Sequence, residues 1–237
     1  MLAAILTIGN ELVSGDVENS NASWLARQLE RLGVKVVLSA AVPDDLDRIV
    51  EFVRREAPLV DYLFVTGGLG GTPDDITREA IAAAFGVGQA VVPELAAELR
   101  ERFPDDGDGY FVRWAELPEG ALPLVNPRGG APGFRLGNVW VLPGLPSEMA
   151  LMYQRYTGDI SPGPPIATWR RRLTGTSERR ITPLLEQATE RWPSVAVGSY
   201  PSFPPGGPEV EVVLKSSDPD ALAAASSFLD NGFDGLA

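Results

Sequence analysis

The sequence predicts an α/β protein: a three-layer α/β/α arrangement around a mostly parallel sheet, followed by a second, smaller α+β domain. Short β-type runs alternate with helical periodicity through roughly the first two-thirds of the chain, which is typical of parallel strands joined by crossover helices. The segment SPGPP, residues 161–165, then interrupts the pattern, because its residues continue neither a helix nor a central strand. We therefore predict domains over residues 1–165 and 166–237.

The elements follow one another in order along the chain. In the first domain, apolar runs predict strands at residues 2–8, 34–42, 61–65, 122–126 and 139–142. Helical spacing and capping residues predict helices at residues 19–33, 43–58, 72–84 and 94–103, and one more from residue 146 onward. In the small domain, the predicted strands are 168–174, 195–199 and 210–214, and the predicted helices are 177–191 and one from residue 218.

Composition excludes several classes of function. The 237 residues are 44% hydrophobic and 22% charged, enough for a sizeable core. The absence of cysteine and histidine excludes disulfides, thiolate or His-ligated zinc and His-based triads, so that any metal must have oxygen ligands. A net charge of -12 disfavours nucleic acid and anionic membranes as partners. With no secretory or membrane-spanning segment recognised, we expect a cytoplasmic protein.

The most polar loops all follow predicted strands. They are residues 9–21, 43–45, 66–75 and 143–148, with the sequences GNELVSGDVENSN, PDD, TGGLGGTPDD and PGLPSE. Because ligands of open parallel sheets bind outside the carboxyl ends of the strands, we expect these loops to form one binding edge.

The glycine-rich loop is suited to a phosphate. Gly67, Gly68, Gly70 and Gly71 allow a ligand to approach backbone amides closely, and the following helix offers free N–H groups. The spacing is neither G-x-G-x-x-G nor a Walker loop, which disfavours dinucleotide redox enzymes and P-loop NTPases.

Several polar residues in these loops have two interpretations. Thr72 to Asp75 resembles a capping box, and Asp44 suits the first turn of its helix. Alternatively, Asp44 and Asp75 hold a divalent ion such as Mg²⁺, which would join them to a phosphate. Ser147 could cap its helix or donate to an anion, and Arg128 could be solvated or pair with a phosphate.

Four motifs together resemble the N-terminal region of the competence/damage-inducible CinA family. They are IGNELVSGDVENSNASWLA (8–26), GGLGGTPDDIT (67–77), NPRGGAPGF (126–134) and LPGLPSEM (142–149). The first domain of that family has the molybdopterin-binding fold shared with MogA, MoaB and gephyrin. GTSERRI (175–181) and VGSYPSF (197–203) are similar to the KH-like middle region of CinA.

The resemblance implies a metal-dependent pyrophosphatase that acts on ADP-ribose or a similar nucleotide sugar. It implies Asp44 and Asp75 as the functional acids and the ligands of a divalent metal, and a homo-oligomer. The phosphate- and substrate-binding residues that it implies are Glu11, Asn21, Gly67, Gly68, Gly70, Gly71, Thr72, Asn126, Gly144, Pro146, Ser147 and Glu148.

The resemblance has departures and gaps. The family usually has Pro at Gly71 and Thr at Gly130, which predicts a less preorganised site and low or lost activity. Longer members carry a C-terminal domain with nicotinamide mononucleotide deamidase activity; this sequence lacks it, and we expect no deamidation.

Two other functions stay open. The chain could bind molybdopterin or transfer an adenylate to it, since a pterin phosphate would use the same edge of the sheet. It could also be a non-catalytic regulatory module. In that case RNA is disfavoured, because the small domain has no G-x-x-G loop followed by basic residues.

Overall fold

The structure, a computed structural model, describes residues 1–107 and 109–235. It divides into two compact units, Met1–Gly163 and Pro164–Ala237. The division falls inside the predicted Pro/Gly-rich segment, two residues before the predicted boundary at 165.

The first unit contains the predicted alternation of strands and helices. Its elements are β1 (Leu2–Ile8), α1 (Asn10–Ser14), α2 (Ser20–Arg31), β2 (Lys35–Val42), α3 (Leu46–Glu56), β3 (Tyr62–Thr66), α4 (Thr77–Phe85), β4 (Gln89–Val91), α5 (Pro93–Arg102), β5 (Glu116–Pro118), β6 (Leu122–Leu124), β7 (Gly133–Leu136), β8 (Val139–Leu142) and α6 (Pro146–Tyr156).

Six of these strands form the central sheet, in the order β2-β1-β3-β8-β7-β6. The first four are mutually parallel, while β7 and β6 run antiparallel to their neighbours. The predicted mostly parallel sheet is confirmed. The sequence missed the short strands β4, β5 and β7 and the short helix α1, because each is too brief to show a period.

Strand β1 shows why the sheet is covered on both faces. Residues 3–8 are all buried, and their side chains alternate between two core clusters. Leu6 packs in the cluster that includes Ile49 of α3 and Ile81 of α4. Ile5 packs in the cluster that includes Leu25 of α2. Each fully buried Leu or Ile stabilises the fold by about 1.5–3 kcal/mol, so both helix layers are held to the sheet.

The helix after the glycine-rich loop begins later than predicted. The capping-box interpretation placed the start at Thr72, but α4 begins at Thr77, and Ile76 at the N-cap position makes no side-chain capping bond. The cause is Asp75, whose carboxylate accepts hydrogen bonds from the amides of Gly70 and Thr72, each at 2.8 Å. These bonds close a compact loop instead of a helical turn, so the capping-box interpretation is wrong.

The second unit is a small α+β module, as predicted. It contains β9 (Ala167–Thr174), α7 (Glu178–Arg191), β10 (Ala196–Ser202), β11 (Glu209–Ser216) and α8 (Pro219–Asp234). The antiparallel sheet has the order β10-β11-β9, and its own core includes Ile181, Val212 and Leu229. Among the described residues, no helix is both long enough and apolar enough to span a membrane.

Candidate functional site

Four strand ends lie along one edge of the central sheet. Ile8, Val42, Thr66 and Leu142 end the parallel strands β1, β2, β3 and β8. Because parallel strands present their carboxyl ends at the same edge, the four polar loops that follow them lie side by side. We call this edge, with loops 9–21, 43–45, 66–75 and 143–148, the rim.

The glycine loop, residues 67–72, is fixed by close backbone approaches. Gly67 and Gly68 have φ of 104° and 63°, a region that L side chains rarely adopt. A Cβ on Gly67 would collide with the carbonyl of Ile8, and one on Gly68 would collide with the Thr77 hydroxyl. The Gly67 amide donates to Leu142 at 3.3 Å, which joins this loop to the end of β8.

Asp75 accepts hydrogen bonds from backbone amides that the sequence analysis assigned to a phosphate. Its Oδ1 accepts from the Gly70 amide, and its Oδ2 accepts from the Thr72 amide. The Thr72 hydroxyl lies 2.5 Å from both Asp75 Oδ2 and Asp74 Oδ1, so its single proton is donated to one of them at a time. The amides of Gly67, Gly70 and Thr72 therefore donate to protein acceptors, whereas the sequence assigned them to a phosphate.

Arg78 donates hydrogen bonds to carbonyls of the glycine loop, and the sequence analysis missed it. Its side chain lies on α4, is 7% exposed, and donates to the carbonyls of Leu69 at 2.6 Å and Gly70 at 2.7 Å. Burial lowers the pKa of Arg78, and the charges of Asp75 and Glu116 oppose that shift. The buried guanidinium thus fixes the loop carbonyls and compensates the Asp75 carboxylate.

Asp44 lies at the rim, between two helix starts. The N-cap of α3 is Asp45, whose carboxylate accepts from the Arg48 amide, so the prediction that Asp44 belongs to the first turn of this helix is wrong. Asp44 Oδ2 instead accepts from the amide of Asn10, the first residue of α1, at 2.8 Å. This contact holds the loop after β2 against the loop after β1.

Two acidic residues lie near Asp44. Burial, and then the charges of Glu11 and Asp74, raise the pKa of Asp44 above its usual range. Asp74 itself has a lowered pKa, because it accepts a hydrogen bond from Thr72. Asp74, which the sequence analysis did not single out, follows the glycine loop, and its charge contributes to the raised pKa of Asp44.

The donor set at the rim can hold a cation only in part. Among the described residues, no group of three or more acidic side chains is arranged to enclose a metal. Asp44 Oδ2 and both oxygens of Asp75 already accept hydrogen bonds, yet each carboxylate has about four acceptor positions. Such a set fits Mg²⁺ that keeps waters and shares phosphate ligands, and it does not fit an all-protein cage.

The start of α6 completes the rim. Pro146 is the first residue of this helix and Leu145 is its N-cap, without a side-chain capping bond. The capping interpretation of Ser147 is therefore wrong, and Ser147 lies exposed in the first turn. The Glu148 carboxylate makes a hydrogen bond within the protein, because its Oε2 accepts from Nδ2 of the buried Asn126 at 2.8 Å.

A cavity of about 90 Å³ opens beside the glycine loop. Its lining includes four of the predicted substrate-binding residues, which are Glu11, Asn21, Gly144 and Pro146. Gly144 also packs against the glycine loop, because a Cβ on it would lie 3.3 Å from Cα of Gly67. The cavity and the glycine loop are thus adjacent parts of one rim.

Comparison with known proteins identifies the family. Residues 4–161 match the family described as the probable molybdopterin binding domain. The chain belongs to the molybdopterin-binding-domain family. Residues 171–235 match the FAD synthase middle domain, a description that differs from the predicted KH-like resemblance, which stays a prediction.

The chain is similar in sequence to CinA-like proteins of the molybdopterin-binding-domain family. A CinA-like protein of Frankia casuarinae is 46% identical over 165 residues, covering 65% of this chain and 38% of the relative. The chain thus spans well under half the length of that relative. A protein of Pyrobaculum calidifontis is 39% identical over 90% of this chain and 84% of its own length.

A solved structure agrees with this placement. The crystal structure of the protein CinA of Thermoplasma acidophilum, a protein of unknown function, superimposes with a TM-score of 0.63 at 31% identity. The match covers 67% of this chain and 96% of the other. The predicted resemblance to CinA and the predicted fold are confirmed.

Gly71 and Gly130, the two departures from the CinA pattern, each lie close to another side chain. A Cβ on Gly71 would lie 2.6 Å from the ring of Tyr110, and a Cβ on Gly130 would lie 2.6 Å from the Glu148 carboxylate. The aromatic ring and the carboxylate therefore fill the space that a proline and a threonine side chain would need. Both turns remain packed, which opposes the expected loss of preorganisation.

Proposed function

We propose that this member of the molybdopterin-binding-domain family hydrolyses the pyrophosphate bond of ADP-ribose or a similar nucleotide sugar at the rim. The carrying observation is that carboxylates from two loops lie near each other there: Asp44 after β2, and Asp74, which follows the glycine loop and precedes Asp75. Paired carboxylates beside a glycine-rich loop suit a phosphate-bound divalent ion. The similar proteins identify the family, but they do not identify the reaction.

The reaction needs a nucleophile, a base and charge stabilisation. The oxygen of a water attacks one phosphorus, the bridging P–O bond breaks, and ADP-ribose yields AMP and ribose 5-phosphate. We assign acceptance of the water proton to the carboxylate of Asp44, which the Asn10 amide holds at the rim.

Asp44 and Asp75 would hold the divalent ion, which would neutralise phosphate charge. Because the Gly67, Gly70 and Thr72 amides are engaged, phosphate contacts are assigned to the remaining glycine-loop amides and to the exposed first turn of α6 at Ser147.

The experiment is a chromatographic assay of AMP formation from ADP-ribose with Mg²⁺, using Asp44→Asn and Asp45→Asn. We expect the first substitution to lower the rate at least 100-fold, a loss in the range of one general base. Asp45→Asn removes the same charge one residue away and keeps the α3 cap, so it should retain wild-type activity. Equal rates in wild type and Asp44→Asn would remove Asp44 from the chemistry.

A second candidate function is binding of a pterin phosphate, as in molybdopterin chemistry. The match of residues 4–161 to the probable molybdopterin binding domain favours it. Titration with a pterin phosphate should then quench pterin fluorescence, whereas ADP-ribose should neither compete nor be hydrolysed. Competition by ADP-ribose at micromolar concentration would favour the first function.

We also propose, from the resemblance to CinA, that the chain acts in the cytoplasm as a homo-oligomer without a nucleic-acid partner. Its net charge of -12 supports the last part. Light scattering coupled to size-exclusion chromatography measures the mass of the particle in solution. A mass of 25.4 kDa, that of one chain, at all micromolar concentrations tested would contradict the homo-oligomer.

A further inference from the structure

The cavity beside the glycine loop contains an unusual amide. Asn21 on α2 is 9% exposed and is one of the residues that line the cavity. Its Nδ2 donates to the Gly144 carbonyl at 2.7 Å and to Thr66 Oγ1 at 3.4 Å. These bonds fix the amide orientation, because a flipped amide would place Oδ1 against the Gly144 carbonyl oxygen.

The fixed orientation leaves an acceptor without a donor. Asn21 Oδ1 is buried and has no hydrogen-bond partner among the described residues. A buried polar atom left unpaired costs about 1–3 kcal/mol, so native proteins retain few of them without a reason.

Most of the neighbouring polar side chains are acceptors or are already paired, and the hydroxyls of Ser20 and Thr66 are the lining groups that also carry a donor. Glu11 and Glu18 add carboxylates to the lining. Asn19, another lining residue, donates to Thr7 Oγ1 and accepts from the Ala22 amide. The cavity therefore presents a surplus of acceptors. It is complementary to a hydrogen-bond donor and opposes a phosphate.

We propose that this cavity is the subsite for a hydrogen-bond donor of the nucleotide ligand, a sugar hydroxyl or an exocyclic amine, bound by Asn21 Oδ1. The inference rests on the proposed function, because it places a nucleotide at the rim. Gly144 connects the two parts: it accepts from Asn21 and packs on Gly67 of the glycine loop. The rim thus has a phosphate side and a donor side, and together they orient the ligand.

The ligand-side test uses the wild-type chain and calorimetric titration with Mg²⁺ present. One arm compares AMP with purine riboside 5′-monophosphate, which lacks the amine, and with 2′-deoxy-AMP and 3′-deoxy-AMP. The other arm compares ribose 5-phosphate with 2-deoxyribose 5-phosphate. We expect at least tenfold weaker binding of one analogue in one arm, and its identity shows whether the donor is an amine or a hydroxyl.

The protein-side test is Asn21→Ala, with Gln28→Ala on the same helix as control. The parent ligand and the analogue that binds more weakly to the wild-type chain should bind equally well to Asn21→Ala. Gln28→Ala should keep the wild-type ratio of their two affinities. A merely structural role would weaken both ligands and leave their ratio unchanged. If Asn21→Ala does not fold, the wild-type analogue comparison still decides.

The two proposals can fail separately. If AMP and ribose 5-phosphate bind but every analogue binds equally well, the donor subsite is wrong while the nucleotide site stands. If neither parent compound binds, the nucleotide site itself is wrong, and the donor subsite is overturned with it.

Discussion

The Asp75 carboxylate is held against the backbone of Gly70. Oδ1 accepts from the Gly70 amide at 2.8 Å, and a Cβ on Gly70 would collide with the same carboxylate. Glycine is required here for space, and not for a left-handed backbone, since Gly70 is not among the residues with positive φ. The loop closure at the rim depends on this contact.

Gly70→Ala should therefore destabilise the chain by about 1–3 kcal/mol, the usual cost of overpacking. The added methyl group displaces a carboxylate that also holds Thr72. Urea unfolding measures the change. Gly158→Ala is the control, because a Cβ there meets nothing within 4 Å. Equal stabilities of the two variants would contradict the contact.

Asp75→Asn tests support of the loop more than catalysis. An asparagine keeps one acceptor oxygen, so the bond from either the Gly70 or the Thr72 amide is lost. We expect a loss of about 1–2 kcal/mol in the free energy of unfolding and faster proteolysis within residues 67–75. Activity lost with unchanged stability and proteolysis would instead assign Asp75 to chemistry alone.

Arg78→Met should destabilise the chain by about 3–5 kcal/mol, as breaking a buried charge interaction does. The substitution removes the bonds to the Leu69 and Gly70 carbonyls and leaves Asp75 without its compensating charge. Arg100→Met, at an exposed position of α5, should be close to neutral in the same denaturant titration. A small effect of Arg78→Met would show that the loop does not need the guanidinium.

Asp44→Asn should stabilise the chain at pH 7, by at most about 1 kcal/mol because the site is partly exposed and solvent screens it. Burial, Glu11 and Asp74 raise the folded pKa of Asp44, so the folded state binds the proton more tightly than the unfolded chain. Its contribution is fully present below the unfolded pKa and is lost as pH rises through the folded pKa.

The gain of Asp44→Asn over wild type should accordingly vanish at about pH 3.5, below the ordinary pKa of Asp. Thermal melts at the two pH values measure it. A variant less stable than wild type at pH 7 would mean that the Asn10 contact outweighs the repulsion.

Gly71 and Tyr110 should be energetically coupled. Gly71→Ala places a methyl group against the Tyr110 ring, which should cost about 1–2 kcal/mol through overpacking, whereas the same change in a Tyr110→Ala background should cost much less. A double-mutant cycle by urea unfolding should give a coupling of about 1 kcal/mol. Additive effects would show that the ring does not fill this space.

Most of the fold, but less of the site, could be predicted from the sequence. Strand and helix periods at β1, β2, α2 and α3 are long enough to define the sheet and its binding edge. Residues 72–75 misled the prediction, because Thr-Pro-Asp-Asp suits a helix start as well as a loop. Only the approach of Asp75 to Gly70 and Thr72 distinguishes them, and that contact is set by the folded loop.

Arg78 shows the same limit. Arginine is rarely buried, so a charged residue in α4 suggests a solvated position. Its spacing of three and four residues from the buried Ile81 and Ala82 was the available signal. The unpaired oxygen of Asn21 could not be predicted from sequence, because it depends on which acceptors surround the amide.

Calorimetric titration of the chain with ADP-ribose, in Mg²⁺ and then in EDTA, tests the central claim most directly. We predict binding that weakens at least tenfold in EDTA, is lost in Asp44→Asn and is retained in Asp45→Asn. Equal affinity in Mg²⁺ and EDTA, with Asp44→Asn binding like wild type, would contradict a rim that holds phosphate through its carboxylates and a shared cation.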